Sequence, residues 1–210
     1  MSAERVDTRS SILEAAERII RDRGMACATT KEIAREAGCA EGSIYRYFED
    51  KHALMTEIIG TRYTDWFQFV ETLPHRAGTR TVGRNLEEVA KRALHFYLGI
   101  VPMACGAVAD RQLLHQHREY FHRNKSGPNK IIGSLTEYLR SEQRGGRIAK
   151  EANADHVAHV FLGACFAQSF LAEFLGQEGH RIGDDRFARE LVKTVLSGIG
   201  APVRAPEPVA

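Results

Sequence analysis

The chain has 210 residues, 43% hydrophobic and 27% charged, a balance that suits one compact domain or two small ones on a helical spine and excludes a disordered chain. Its formal net charge is only +2, so any contact with a polyanion must come from a local patch and not from bulk charge. The four cysteines (Cys27, Cys39, Cys105, Cys165) form no CxxC pair, which fits small hydrophobes in a reducing cytoplasm.

Met1 to Asp7 is polar and lacks the apolar stretch of a secretory signal. From there almost every segment repeats its apolar residues at 3.6, and no alternating strand pattern stands out, so the expected fold is all-α. Ile12, Ala15, Ala16, Ile19 and Ile20 form the stripe of a first helix, Thr8 to Arg23, stopped by Gly24 in a left-handed conformation. Thr29-Thr30-Lys31-Glu32 reads as a capping box, with Thr29 accepting from the backbone three residues on and Glu32 bonding back to the Thr29 N–H. Ile33, Ala34 and Ala37 give that short helix its apolar face, and Gly38 ends it. A second short helix is expected over Ser43 to Phe48, with Ile44 and Phe48 buried together at i and i+4. Two short helices around a tight glycine turn, packed on the first helix, make a helix-turn-helix; an αα-hairpin that merely packs is the plainer reading. The outward set decides between them, because Tyr45, Arg46 and Tyr47 suit phosphates and base edges better than bare solvent. Lys51, a cation in the first turn of the next helix, opposes the helix dipole unless a phosphate arrives there.

Ala28 to Lys51, ATTKEIAREAGCAEGSIYRYFEDK, resembles the signature of the TetR family of bacterial transcriptional regulators. The likeness extends back over the first helix and forward to about Ile59; beyond that only helix order and lengths are similar. The resemblance implies phosphate contacts from Thr30, Tyr47 and Lys51, with a further contact from Lys31. It also implies major-groove contacts from the segment with Gly42, Ser43, Tyr45 and Arg46. Arg46 is the strongest base reader, since a guanidinium pairs bidentately with guanine, a backbone clamp being its other reading. Tyr45 suits a thymine methyl or a phosphate equally. Glu41 is either a cytosine reader or a solvated bystander, the bystander favoured.

Downstream, a long helix is expected from Lys51 to Leu73, ended by Pro74, then a polar loop from His75 to Gly83. Helices over Leu86 to Val101, stopping before Pro102, and over Gly106 to His117 follow. Pro128 opens a helix to about Gln143, Gly145-Gly146 closes it, and two last helices span Ala154 to Leu175 and Asp185 to Ile199. Residues 201–210, with three prolines, read as a frayed tail. The expected division is a helix-turn-helix domain over 1–50, a helical effector-binding and dimerisation body over 51–200, and the tail.

Trp66, Phe67, Phe96, Tyr97, Ile100, Met103, Tyr120, Phe121, Cys165 and Phe170 are candidates for lining an apolar ligand cavity, with ordinary core packing as the alternative. Phe161, Leu162, Phe166, Ser169, Leu191 and Val195 spread apolar surface over more than one face of the last two helices, which suits a four-helix seam with a second copy. Val157 to Gly176 carries His159, Gln168, Ser169 and Glu173, so a buried helix is favoured over a membrane span. No metal site or cofactor is expected: His115 and His117 fall on different faces, and His156 with His159 lacks a third ligand. GxSxG, HExxH, P-loop and GxGxxG patterns are all missing from the sequence, so no enzyme is expected. The reading is a cytoplasmic, ligand-responsive regulator that binds a palindromic DNA operator as a homodimer, most simply a repressor, released by a small, largely apolar effector. A helical interaction module or an enzyme without DNA binding is the alternative.

Overall fold

Ile12, Ala15, Ala16, Ile19 and Ile20 recur at the spacing of one helix face, and all five are buried along α1, Ser2–Arg23. The computed structural model describes residues 2–176 and 184–198, so Ile199 and the tail at 201–210 lie outside the described residues. Ten α-helices and two 3-10 turns make up the described residues, with no strand among them. α1 starts earlier than its apolar stripe predicts, because a polar first turn costs a helix little when the following turns are packed.

After α1 come the 3-10 turn Met25–Cys27, α2 (Thr30–Ala37), α3 (Glu41–Tyr47) and α4 (Lys51–Arg62). Gly24 has φ 83° and ψ 165°, a region open essentially to glycine, so the stop at this position is real although its conformation is extended and not left-handed helical. The long helix expected from Lys51 to Leu73 is broken at Tyr63, and α5 (Thr64–Thr72) then runs into a 3-10 turn, Leu73–Arg76. Thr61 and Thr64 turn their hydroxyls back onto the Glu57 and Gly60 carbonyls, at 2.8 and 2.7 Å. Such back-bonding competes with the backbone ladder, and Gly60 offers it little resistance.

α6 spans Val82–Ala109 and passes through Pro102, where the sequence suggested a stop. Val101 and Met103 on either side are buried, so packing outweighs the one backbone bond that proline forfeits. The segment expected as a helix from Gly106 to His117 is divided between the end of α6 and α7 (Arg111–Asn124). Asp110 makes the division, its Oδ1 accepting from the Gln112 and Leu113 N–H groups at 3.0 and 3.1 Å. α8 (Pro128–Arg144) opens on its proline, α9 covers Ala154–Leu175 as expected, and α10 covers Asp184–Gly198.

The chain forms two compact units. One joins Met1–Phe67 to Phe96–Gly127; the other joins Gln68–His95 to Pro128–Ala210. The first has a core of α1, α2, α3 and α4 residues to which α6 adds Met103 and Ala107 and α7 adds Leu113. In the second, α8 packs on α9. Its buried Glu142 holds Arg147 through both carboxylate oxygens at 2.8 and 2.9 Å, and Tyr138 is tied to Asn85 at 3.1 Å.

Candidate nucleic-acid interface

Thr29 caps α2 as its sequence predicts, its hydroxyl accepting from the Glu32 N–H at 3.2 Å. The reciprocal half of the capping box is not formed. Glu32 is drawn instead into two ion pairs, with Arg23 and Arg35, both at 2.9 Å. Charge-assisted bonds outcompete a neutral backbone donor, and those from Arg35 and Arg23 hold the carboxyl at about 2. Gly38 then takes the left-handed conformation that turns the chain, φ 69° and ψ 30°.

α3 begins at Glu41, two residues before the expected start, and this puts Gly42 inside its first turn. Ile44 and Phe48 are buried, at 2% and 3% exposure, as their i, i+4 spacing requires. The opposite face is open to solvent: Gly42 and Arg46 are exposed and Tyr45 keeps 59% of its surface in solvent; Lys31 of α2 is exposed too. Ser43, Tyr47, Thr30 and Lys51 are half-buried. The Arg46 guanidinium lies 5.8 Å from the Tyr47 ring centre. Glu41 accepts from the Thr30 hydroxyl at 2.5 Å, and the Tyr45 hydroxyl is 3.5 Å from the same Thr30 oxygen. Glu41 thus pins the starts of α2 and α3 together, a role its sequence did not announce.

The start of α4 holds residues that sequence reasoning missed. Asp50 caps the helix, its Oδ1 accepting from the Ala53 N–H at 2.7 Å, while Oδ2 accepts from Gln116 of α7 at 2.9 Å. Lys51 donates to the Met25 carbonyl oxygen at 3.2 Å. His52, 8% exposed, meets His117 edge-on with ring centres 4.5 Å apart and Tyr120 at 5.3 Å. His52 Nε2 and His117 Nδ1 are buried without a hydrogen-bond partner among the described residues. Burial lowers both imidazoles, that of His117 to about 4, with the neighbouring His52 adding to the effect. The signal that could have found this joint is Asp50 beside an apolar run, the usual mark of an N-cap.

Residues 12–58, which run from the stripe of α1 into α4, match the family described as bacterial regulatory proteins, tetR family. Over 98% of both chains the sequence is 26% identical to the HTH-type transcriptional repressor BepR of Brucella suis biovar 1. Residues 12–58 thus carry the tetR-family DNA-binding segment. A second relative, the HTH-type regulator YdgC of Bacillus subtilis, is 29% identical over 81% of this chain and 85% of its own. Among solved structures, FadR of Bacillus subtilis in complex with stearoyl-CoA is similar with a TM-score of 0.68, at 17% identity over 90% of this chain and 98% of that one. FadR of Bacillus halodurans, a fatty acid degradation regulator, gives 0.69 at 16% identity over 92% and 96%. At such identities the likeness is one of fold.

The remaining candidates fall into separate groups. Trp66, Phe67 and Tyr97 surround Phe96 with ring centres 5.4 to 5.7 Å away, joined by Tyr63 at 5.1 Å, all in the first unit. Met103 is buried there, while Ile100, Tyr120 and Phe121 are half-buried. Cys165 and Phe170 belong to the second unit; burial pushes the Cys165 thiol up to about 12. A cavity of about 140 Å³ in the second unit is lined by other residues, among them Leu86, Leu139, Arg147, Val157 and Val195. Of the residues considered for a seam between copies, Phe161, Leu162, Ser169 and Val195 are covered within the chain and Leu191 is half-buried, whereas Phe166 is exposed. The outward apolar surface comprises Val160, Phe166, Leu171, Phe174 and Leu175 of α9 with Leu196 of α10.

Proposed function

We propose that this regulator is a ligand-responsive repressor that binds a palindromic operator as a homodimer. The observation that carries the reading is α3 itself, buried through Ile44 and Phe48 while Tyr45 and Arg46 face solvent together. Arg46 reads guanine from the major groove, with Gly42 and Ser43 letting the helix approach and Tyr45 contacting a base or phosphate alongside. Thr30, Lys31, Tyr47 and Lys51 hold the phosphates and set the register without choosing sequence. Two such heads about 34–36 Å apart match successive turns of one DNA face. The exposed apolar side of α9 and α10 supports pairing with a second copy; DNA reading falls to residues 1–50, and effector binding and dimerisation to 51–200, although residues 51–67 and 96–127 pack with the head.

For the effector, the aromatic residues around Phe96 and the apolar content of α9 support a largely apolar molecule. The stearoyl-CoA bound by the similar FadR makes a long-chain acyl thioester the first compound to try. By linkage, such a ligand must bind the DNA-free form more tightly than the DNA-bound form. α6 and α9 are each long and apolar enough to cross a membrane, yet α9 buries Gln168 and Ser169, the latter donating to the Leu94 carbonyl at 3.2 Å. That arrangement supports a protein core and a cytoplasmic molecule. A gel shift with DNA from upstream of its own gene tests the whole reading: sequence-selective retardation, relieved by stearoyl-CoA or another apolar ligand, is expected. Retardation no stronger than that of unrelated DNA sinks it.

A further inference from the structure

Lys51 opens α4 with its charge against the positive end of the helix dipole, a poor place for a cation. Its Nζ is held there by the Met25 carbonyl oxygen at 3.2 Å. Met25 starts the short 3-10 turn after Gly24 and is only 7% exposed. The far side of the same residue is pressed by α6. A Cβ built on Gly106 would lie 2.3 Å from the Met25 Cβ and 2.5 Å from its Cγ, so the α6 backbone comes closer to the turn than any residue with a side chain permits. Met25 Cβ sits one bond from its backbone and cannot swing aside. Whatever displaces it displaces the turn and the carbonyl that faces Lys51.

We propose that Gly106 and Met25 are positioning residues for the phosphate contact of Lys51. The close approach of α6 fixes where the Met25 carbonyl stands. That carbonyl takes one of the three ammonium donors and aims the other two outward, where a DNA phosphate accepts them. A small displacement of α6 at Gly106 thereby reaches the DNA-binding face through two contacts. The proposal rests on the reading of Lys51 as a phosphate ligand.

Phosphate contacts act on all sequences alike, so the test uses the full-length protein and a short labelled duplex of arbitrary sequence, titrated over a salt series. Lys51→Ala should lower the slope of log affinity against log salt by about 0.9 for each DNA-bound protomer and weaken binding roughly tenfold per protomer at low salt. Gly106→Ala should reproduce both effects, and should add nothing in a Lys51→Ala background. Met25→Gly, which loosens the turn without adding bulk, should also lower the slope. Met25→Gly with Gly106→Ala, which removes the Met25 side chain and places a single methyl on the α6 side of the contact, should regain part of it relative to Met25→Gly alone. Circular dichroism checks each variant, and Met25→Gly decides the matter if Gly106→Ala does not fold. A wild-type slope in both single variants overturns the proposal while leaving the Lys51 reading intact; so does a further loss when Gly106→Ala is added to Lys51→Ala. A wild-type slope in Lys51→Ala overturns the proposal and the Lys51 reading together.

Discussion

Arg46 and Tyr47 are neighbours on α3 with different surroundings. Arg46 is exposed, its guanidinium 5.8 Å from the Tyr47 ring centre, whereas Tyr47 is half-buried against the core of the first unit. Substitution should therefore separate specificity from affinity. Arg46→Ala is expected to cost about 1–3 kcal/mol on the best operator and to relax preference at one base position, read from binding to a set of single-base operator variants. Tyr47→Phe should weaken binding to every member of that set equally. Thr29→Ala removes a cap whose bond is present at 3.2 Å, and should lower stability by about 1 kcal/mol in a denaturant titration. The capping box also shows where reading residue by residue fails. Thr29 acts as its identity predicts because its partner is three residues away in the same turn. Glu32 does not, because two guanidiniums compete for it: that of Arg35, three residues on in α2, and that of Arg23, which comes from another helix that no local pattern reveals.

At the scale of elements, the contact of α4 with α7 is the most consequential one the sequence hid. His52 and His117 look ordinary at separate places in the chain, and only the fold brings them to 4.5 Å. The groups around them are Asp50, which raises the His52 pKa, Arg123, which lowers it, and the Tyr120 ring. Both imidazoles bind protons less readily here than in an unfolded chain, where titration centres near 6.5. Their contribution to stability is therefore complete above about pH 6.5 and is lost as the pH falls from there towards 4. For His117 the loss amounts to about 2–3 kcal/mol at the acid end. Melting temperatures between pH 7.5 and 4.5 should fall more steeply for the wild type than for His117→Gln. Parallel curves would remove the histidine pair as the cause. The helices themselves were legible wherever the stripe was long and the ends were capped, as in α1, α8 and α9. Pro102 and the break at Tyr63 were misread for opposite reasons: tertiary packing carried a helix through a proline, and threonine hydroxyls interrupted one that the apolar pattern continued.

For the whole molecule, the apolar content of α9 and α10 announced that these helices are covered on more than one side but not by what. Phe161, Leu162 and Ser169 are covered by the chain itself, leaving Phe174 at 74% and Val160 at 64% exposure on the remaining surface. If a second copy covers that surface, Val160→Lys with Phe174→Lys should yield monomers in sedimentation and at least a tenfold loss of operator affinity, with the far-UV spectrum unchanged. A dimer of wild-type affinity would place the seam elsewhere. The helix-turn-helix fold was legible because its caps, turn and apolar stripe lie close together in the chain, from Thr29 to Phe48. The body was not, because its contacts join residues far apart in the chain.

The path of the backbone sets a limit on how this regulator can be re-engineered. The first unit takes in Met1–Phe67, then Phe96–Gly127, and the chain crosses between units within α5, within α6 and again after Gly127. A cut after residue 50 would part Asp50 from Gln116 of α7 and Lys51 from the Met25 carbonyl. Grafting a foreign effector body onto this head, or this head onto a foreign body, therefore demands an exchange of two segments at three junctions and not a single splice. Chimeras joined at the end of α3 should fold poorly, whereas those that carry α7 along with the head should keep their grip on DNA.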